Sequence, residues 1–282
     1  MARLEEAEDF APVRSDRSAR YGQAIGGAAL SFVSKFGSIV VLLLAWEILA
    51  SSGVFTPFLL PKFSVVVERI ASDMMAGSWF VNIGLTLYRA IVGFCAAAVI
   101  GVPLGILMAR QSTIRWFFDP IVSIGFPAPK VAFLPIFILW FDLFDTAKIV
   151  LVAFTAIFPI VAASWAGTFT VDKHLIWSAR SLGANNREVL SEIILPAALP
   201  QILTGLQIAL PISMIVALVT EFLMGGQGLG GAMIEAQRFG DSPGVFAGIV
   251  SIAIAGIVII KSLEFMRRRL LAWHTETATE TA

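Results

Sequence analysis

The chain has 282 residues, and twenty Lys and Arg balance twenty Asp and Glu to a formal net charge of zero. Hydrophobic residues make up 57% and charged residues 14%, with a mean hydropathy of +0.85, which excludes an ordinary soluble domain and a disordered chain. With no basic stripe, nucleic acid is not an expected partner.

A single cysteine, Cys95, lies in an apolar run, so neither a disulfide framework nor a cysteine metal site is expected. His174 and His274 stand far apart in polar flanks and read as surface residues, and no cofactor or metal is expected. The glycine-rich run GGQGLGG at 225–231 lacks the Lys-Ser/Thr ending of a phosphate loop, so the chain has no ATP site of that kind.

Residues 1–35 carry Arg3, Arg14, Arg17 and Arg20 among acidic and small residues and read as a polar tail. The apolar run Phe36–Ala50 is read as a first membrane span that starts slightly before residue 36. A signal peptide cleaved near Ala50 is the alternative, but the tail is long and Glu47 interrupts the apolar region. Residues 51–81 are polar, broken by Pro57 and Pro61, with an amphipathic helix near 64–76.

Leu85–Ala109 is long enough to cross a bilayer at about 20 residues per crossing. Its Gly93, Ala97, Gly101 and Gly105 line one helix face, which lets a neighbouring helix approach closely. Trp116–Phe141 is apolar but interrupted by Pro120, Pro127, Pro129 and Pro135, with Lys130 among them. Broken backbone at membrane depth needs protein or water around it. Lys130 therefore reads either as a pathway residue or as a lysine reaching for an interface.

Ile149–Phe169 is the next span, with Pro159 as a kink site. Ile202–Met224 follows with a second stripe, Gly205, Ala209, Ser213 and Ala217, and with Gln207 and Glu221 as polar pathway candidates. Glu221 is either solvated at an interface or held in the bundle interior by a polar partner. Residues 225–243 read as a glycine-rich connection, and Gly244–Phe265 as the last of six spans.

The long polar interruption Asp172–Pro200 carries two short amphipathic helices. Asp172 caps the first, whose apolar positions are Leu175, Ile176, Ala179 and Leu182, and Gly183 terminates it. Asn185 or Asn186 caps the second, which Pro196 closes. Such a knob suits a groove on another protein.

With the N-terminus inside, the inner segments hold thirteen basic residues: Arg3, Arg14, Arg17, Arg20, Lys35, Arg110, Arg115, Lys173, Arg180, Arg187 and Arg267 to Arg269. The outer segments and their margins hold Lys62, Arg69, Arg89, Lys148 and Arg238. That asymmetry favours both termini inside and places the knob in the cytoplasm.

The run ARSLGA…ILPAALPQILTGLQIAL resembles the "EAA" loop of inner-membrane permease subunits of binding-protein-dependent ABC importers. FPAPKVAFLPIFILWF is similar to a third-span signature of their nitrate, sulfonate and taurine branch. Gly183 matches the motif's glycine, and Leu195 and Pro196 match its terminal Leu-Pro. The opening Glu-Ala-Ala is replaced by Trp177, Ser178 and Ala179, so no role of that Glu carries over.

The resemblance implies an all-α polytopic permease domain over 36–272, with tails at 1–35 and 273–282 and a cytoplasmic coupling loop at 172–200. It implies contact with the ATPase through Trp177, Ser178, Ala179, Arg180, Leu182, Gly183, Ala184, Leu195 and Pro196. The expected partners are two copies of a cytoplasmic ATP-binding subunit, a soluble or lipid-anchored substrate-binding protein, a second permease copy and the bilayer of the bacterial inner membrane. The expected cargo is a small, anionic nutrient resembling nitrate, sulfonates or taurine. A self-sufficient channel or secondary carrier fits less well, since no internal repeat is evident. A membrane-embedded enzyme would need a nucleophile and base, which neither histidine supplies.

Overall fold

The structure is a computed structural model that describes residues 37–271; the expectations for the two tails and for the start of the first span lie outside them. Every regular element among the described residues is helical. The chain divides into two compact units, Met1–Thr56 and Pro57–Ala282. In the first unit, helix α1 is Gly37–Ser51, and Ile39, Val41, Leu42 and Ile48 on it are exposed, as suits a lipid-facing helix.

The second unit opens with α2 (Phe63–Met75), the expected amphipathic helix, followed by the long α3 (Ser78–Arg110). Next come α4 (Ser112–Gly125), a 3-10 turn at Lys130–Phe133, α5 (Leu134–Phe141) and α6 (Asp145–Phe169). After α7 (Lys173–Ser181), α8 runs unbroken over Asn186–Met224, and α9 (Leu229–Arg238) and α10 (Ser242–Leu270) complete the unit.

Helix α6 occupies the centre, packed on α3 and on α8. Both small-residue stripes serve this packing. A Cβ at Gly93 would lie 2.6 Å from Val152 Cγ1, and one at Gly105 would lie 2.6 Å from the Val161 carbonyl oxygen. On α8, Gly205 faces Ala163 at a similar spacing, and Ala209, Ser213 and Ala217 are fully buried. Backbones approach closely here because no side chain separates them.

Helices α3, α6, α8 and α10 are each long and apolar enough to cross a bilayer, while α4 and the Lys130–Phe141 segment meet at 99°. Their contacts step along α6 in order. Arg115 lies over the rings of Trp165 and Phe169, Lys130 over Phe158, and Phe133 and Phe137 against Phe154; Leu134 and Phe137 then join the core around Ala147 and Leu151. The segment from Ser112 to Phe141 is therefore one broken span antiparallel to α6. Lys130 stands at its break, opposite the middle of α6.

Two expectations change. The connection after α8 is partly ordered as α9, which begins at Leu229 directly after the glycine run. The second helix of the knob does not end at Pro196; it passes through a π turn at Val189–Ile194 and continues as α8 to Met224. The π turn shifts the hydrogen-bond register, so the amide that Pro196 lacks falls in the first turn of the renewed α-helix, where proline is tolerated.

Candidate functional site

Two constructions at opposite ends of α6 and α8 concentrate the polar residues of the second unit. The first is the knob. Asp172 Oδ1 accepts from the His174 amide at 2.8 Å and starts α7. Gly183, at φ +91°, ends it: the Gly183 amide donates to the Arg180 carbonyl and the Ala184 amide to the Ala179 carbonyl, each at 3.0 Å. This pair of bonds is the Schellman arrangement, which needs a left-handed residue at the first position past the helix. Asn185 then caps α8 reciprocally. Its Oδ1 accepts from the amides of Arg187 and Glu188, while Glu188 Oε2 accepts from the Asn185 amide at 2.8 Å. Two caps flank Ala184, so the angle between α7 and α8 is fixed by local hydrogen bonds.

The apolar side chains of α7 and its C-terminal turn divide between two sides. Ile176 and Ala179 pack with Ala184, Val189 and Ile194 in a small core of the knob. Leu175, Trp177 and Leu182 stay outside, with Trp177 56% and Leu182 89% exposed. Trp177 is steadied edge-on by His174 at 5.2 Å between ring centroids. Among the residues expected at the ATPase contact, Trp177, Ser178, Arg180, Leu182 and Gly183 are exposed. Ala179 is buried and Ala184 half-buried, holding the turn from within, and Leu195 and Pro196 are half-buried in α8.

At the other end lies a buried ion cluster. Arg89 of α3 donates through Nη1 to Glu221 Oε1 at 2.5 Å and to the Gln227 carbonyl at 2.7 Å, and through Nε to Asp145 at 2.9 Å. Glu221 of α8 is 0% exposed, and both its oxygens also accept from the Thr86 hydroxyl. The Gly230 amide donates to Glu221 Oε2 at 2.9 Å, the Leu229 amide to Thr86 Oγ1 at 2.9 Å, and the Gly228 amide to Asn82 Oδ1 at 3.1 Å. Lys148, also buried, donates to the Gly225 carbonyl at 2.9 Å. Through these bonds the glycine loop joins α3, α6 and α8. Charges buried this deeply persist only when paired and fully hydrogen-bonded.

Of the three sequence-based pathway candidates, Glu221 belongs to this cluster. Gln207 lies farther down α8, where its Oε1 accepts from Arg267 of α10 at 2.7 Å. Lys130 donates to the Phe126 carbonyl and lies over the rings of Phe126 and Phe158. The structure does not bring the three together. Arg89, Asp145 and Lys148 escaped the sequence reading, which assigned Arg89 and Lys148 to the outer margins. The usable signal was an arginine four residues inside an apolar span, since ionisable residues there face a partner. No group of His, Cys, Asp and Glu that could hold a metal ion occurs among the described residues.

A helical bundle with close-packed small-residue stripes, one broken span and a rigid polar knob defines a polytopic membrane protein. The model of the family "binding-protein-dependent transport system inner membrane component" matches residues 101–272, and the chain belongs to that family. It is similar to the taurine transport system permease protein TauC of Escherichia coli (strain K12), with 34% identity over 245 residues, 85% of this chain and 89% of the relative. It is 31% identical over 234 residues to the putative aliphatic sulfonates transport permease protein SsuC of Bacillus subtilis (strain 168), covering 83% and 85% of the two chains.

Two solved structures share the fold. An inward-facing MetNI methionine ABC transporter aligns with a TM-score of 0.53 at 21% identity, over 64% of this chain and 94% of that one. An amino acid ABC transporter with histidines aligns with a TM-score of 0.58 at 17% identity, over 71% and 97%. The chain is thus a permease subunit of an ABC importer, a transport component whose ATP hydrolysis resides in a separate subunit and which works with a substrate-binding protein.

Proposed function

We propose that this subunit pairs with a second copy to form the translocation pathway for a small sulfonate-like nutrient, driven by two copies of a cytoplasmic ATPase. The knob, residues 172–200, is the cytoplasmic coupling element, both termini are cytoplasmic, and a soluble or lipid-anchored binding protein delivers cargo at the outer face. The observation that carries this reading is mechanical. The knob's second helix is α8 itself, continuous from the capping box at Asn185 to Glu221. A push on the exposed Leu175, Trp177 and Leu182 therefore reaches the buried end of the bundle through a single helix. The printed names of the taurine and sulfonate relatives supply the cargo class.

The charge distribution supports the orientation. The outer segments and their margins hold few basic residues, Lys62, Arg69, Arg89, Lys148 and Arg238, against thirteen on the inner side, and Arg89 is ion-paired inside the bundle. The test is ATP-dependent uptake in proteoliposomes holding the permease, its ATPase and its binding protein, with labelled 2-aminoethanesulfonate, ethanesulfonate and nitrate. Uptake of a sulfonate with coupled ATP hydrolysis is the expected result. Uptake of none of the three overturns the cargo class.

A further inference from the structure

Lys130 stands at the break of the broken span, and three groups hold its charge there. Helix α4 ends at Gly125, whose missing side chain lets the Phe158 ring of α6 lie against it. The chain then bends by 99°, past Pro127 and Pro129, into the 3-10 turn that Lys130 opens. The Lys130 ammonium donates to the Phe126 carbonyl and lies 5.8 Å from the Phe126 ring centre and 5.2 Å from that of Phe158. Phe158 is itself buried and meets Phe154 edge-on at 5.4 Å. A carbonyl and two rings therefore fix the position of the charge.

Its depth separates the two readings of Lys130. Phe158 stands thirteen residues after Asp145 and eleven before Phe169, about 20 and 16 Å from the ends of α6 at 1.5 Å per residue. A lysine reaching for an interface carries its ammonium toward one end of a span. This ammonium stays beside the middle. It has no ion-pair partner among the described residues; the acidic residues nearest in the chain, Asp119 and Asp142, do not pair with it. One of its three N–H groups has an acceptor, and the side chain is partly exposed. A lone charge at that depth persists only beside a water-filled space or a counter-charge, and broken backbone there needs protein or water around it. The other two polar candidates are already occupied, Glu221 by Arg89 and Gln207 by Arg267.

We propose that the break of this span lines the translocation pathway and that Lys130 is its anion-selecting residue, where the negative end of the cargo exchanges water for an ammonium. Charged side chains select ions of opposite sign in pores by the same means. An ammonium already held by a carbonyl and two rings also loses little freedom when an anion arrives. The inference rests on the transport reading above for its cargo, while the place of the charge stands apart from that reading.

The test sets a reporter beside the charge. Ala132, exposed in the same 3-10 turn, is replaced by cysteine in a Cys95→Ala background, and the permease–ATPase complex is purified into nanodiscs. Its rates of reaction with 2-sulfonatoethyl and 2-trimethylammonioethyl methanethiosulfonate are then compared. Both reagents are expected to react. Lys130→Gln is expected to lower the anionic-to-cationic rate ratio about tenfold or more, since losing a unit charge acts on the two reagents with opposite sign. Lys130→Arg is expected to keep the ratio. Glutamine can still donate to the Phe126 carbonyl, so a role limited to holding the turn leaves the ratio unchanged.

In proteoliposomes with binding protein and ATP, Lys130→Gln is expected to lose about tenfold in ethanesulfonate uptake and Lys130→Arg to keep most of it. Retention of the ATPase on each variant controls for folding. No reaction of Ala132→Cys with either reagent, or a ratio that Lys130→Gln leaves unchanged, overturns the anion site while sulfonate uptake by wild type still stands. Wild-type uptake in Lys130→Gln overturns it as well. A ratio that falls in Lys130→Gln, in a protein that moves no sulfonate, upholds the anion site and removes the cargo class instead.

Discussion

Arg89 and Glu221 lie 132 positions apart in the chain, yet their side chains meet at 2.5 Å where neither is appreciably exposed. Arg89 keeps a second carboxylate, Asp145, whose side chain is 45% exposed, so the guanidinium connects the bundle interior to its rim. Loss of Glu221 therefore leaves Arg89 half-paired and the Gly230 amide without its acceptor, while the Thr86 hydroxyl keeps the Asn82 carbonyl.

Removing one partner of a buried ion pair costs about 3–5 kcal/mol, and the surviving Asp145 contact places Glu221→Gln near the lower end of that range. Glu235, exposed on α9, provides the comparison, since surface changes usually stay within about 0.5 kcal/mol. In detergent, Glu221→Gln is expected to lower the melting temperature and impair transport, with Glu235→Gln close to wild type. The double variant Arg89→Met/Glu221→Gln is expected to lose less than the sum of its singles, because neither charge is then left alone. Additive losses would contradict the pairing.

Gly228 carries the same cluster from the loop side. Its φ is +126°, and a Cβ there would fall 2.5 Å from the Glu221 carboxyl carbon. Gly228→Ala thus meets both backbone strain, about 1–3 kcal/mol, and a carboxylate that is already hydrogen-bonded in place. The expected outcome is a destabilisation at least as large as that of Glu221→Gln. The two changes combined should fall short of additivity, since the loop and the carboxylate depend on each other. Wild-type thermal stability in Gly228→Ala would show that the loop can leave Glu221 freely.

Much of the knob was legible because its determinants are local. Asp172, Gly183 and Asn185 act on backbone groups within five residues, so their chemistry follows from sequence spacing. The small-residue stripes were legible for a related reason: a period of four places them on one face wherever the helix packs. Arg89, Asp145 and Lys148 were not legible, since their partners come from helices and loops distant in the chain and a charge near a span end looks solvated. Pro196 misled because a π turn, which the sequence does not announce, carries the helix past it.

Gly183 separates backbone strain from steric fit. A Cβ built there meets nothing within 4 Å, so the cost of substitution is conformational. Gly183→Ala and Gly183→Val both face the left-handed backbone at about 1–3 kcal/mol, and the β-branched residue tolerates it least. That strain is relieved most readily by re-aiming α7 against α8. Gly183→Val is expected to insert normally yet lose substrate-stimulated ATP hydrolysis and uptake, with Gly183→Ala intermediate. Full coupling in Gly183→Val at normal membrane levels would remove the turn from the mechanism.

Trp177 stands where the motif that the knob resembles opens with an acidic residue, so the ATPase contact proposed for the knob works without that carboxylate. The indole is 56% exposed while its neighbours Ile176 and Ala179 are committed to the knob's own core. Its ring is held edge-on against His174, which limits the freedom it loses when a partner covers it. Together with Leu182, 89% exposed beside the Gly183 turn, it gives α7 an apolar outer edge. A rigid aromatic buried at a protein contact commonly loses about 2 kcal/mol or more on truncation to alanine, roughly thirtyfold in affinity, whereas an indole resting on lipid headgroups leaves assembly unchanged. Trp177→Ala is expected to reduce the ATPase subunit retained on purified permease, and Trp177→Phe, which keeps a planar ring, to preserve most of it. Because the contact is apolar, the loss in Trp177→Ala should deepen with detergent and change little with salt. Wild-type retention of the ATPase by Trp177→Ala across both titrations would take Trp177 out of the interface and assign it to the membrane surface.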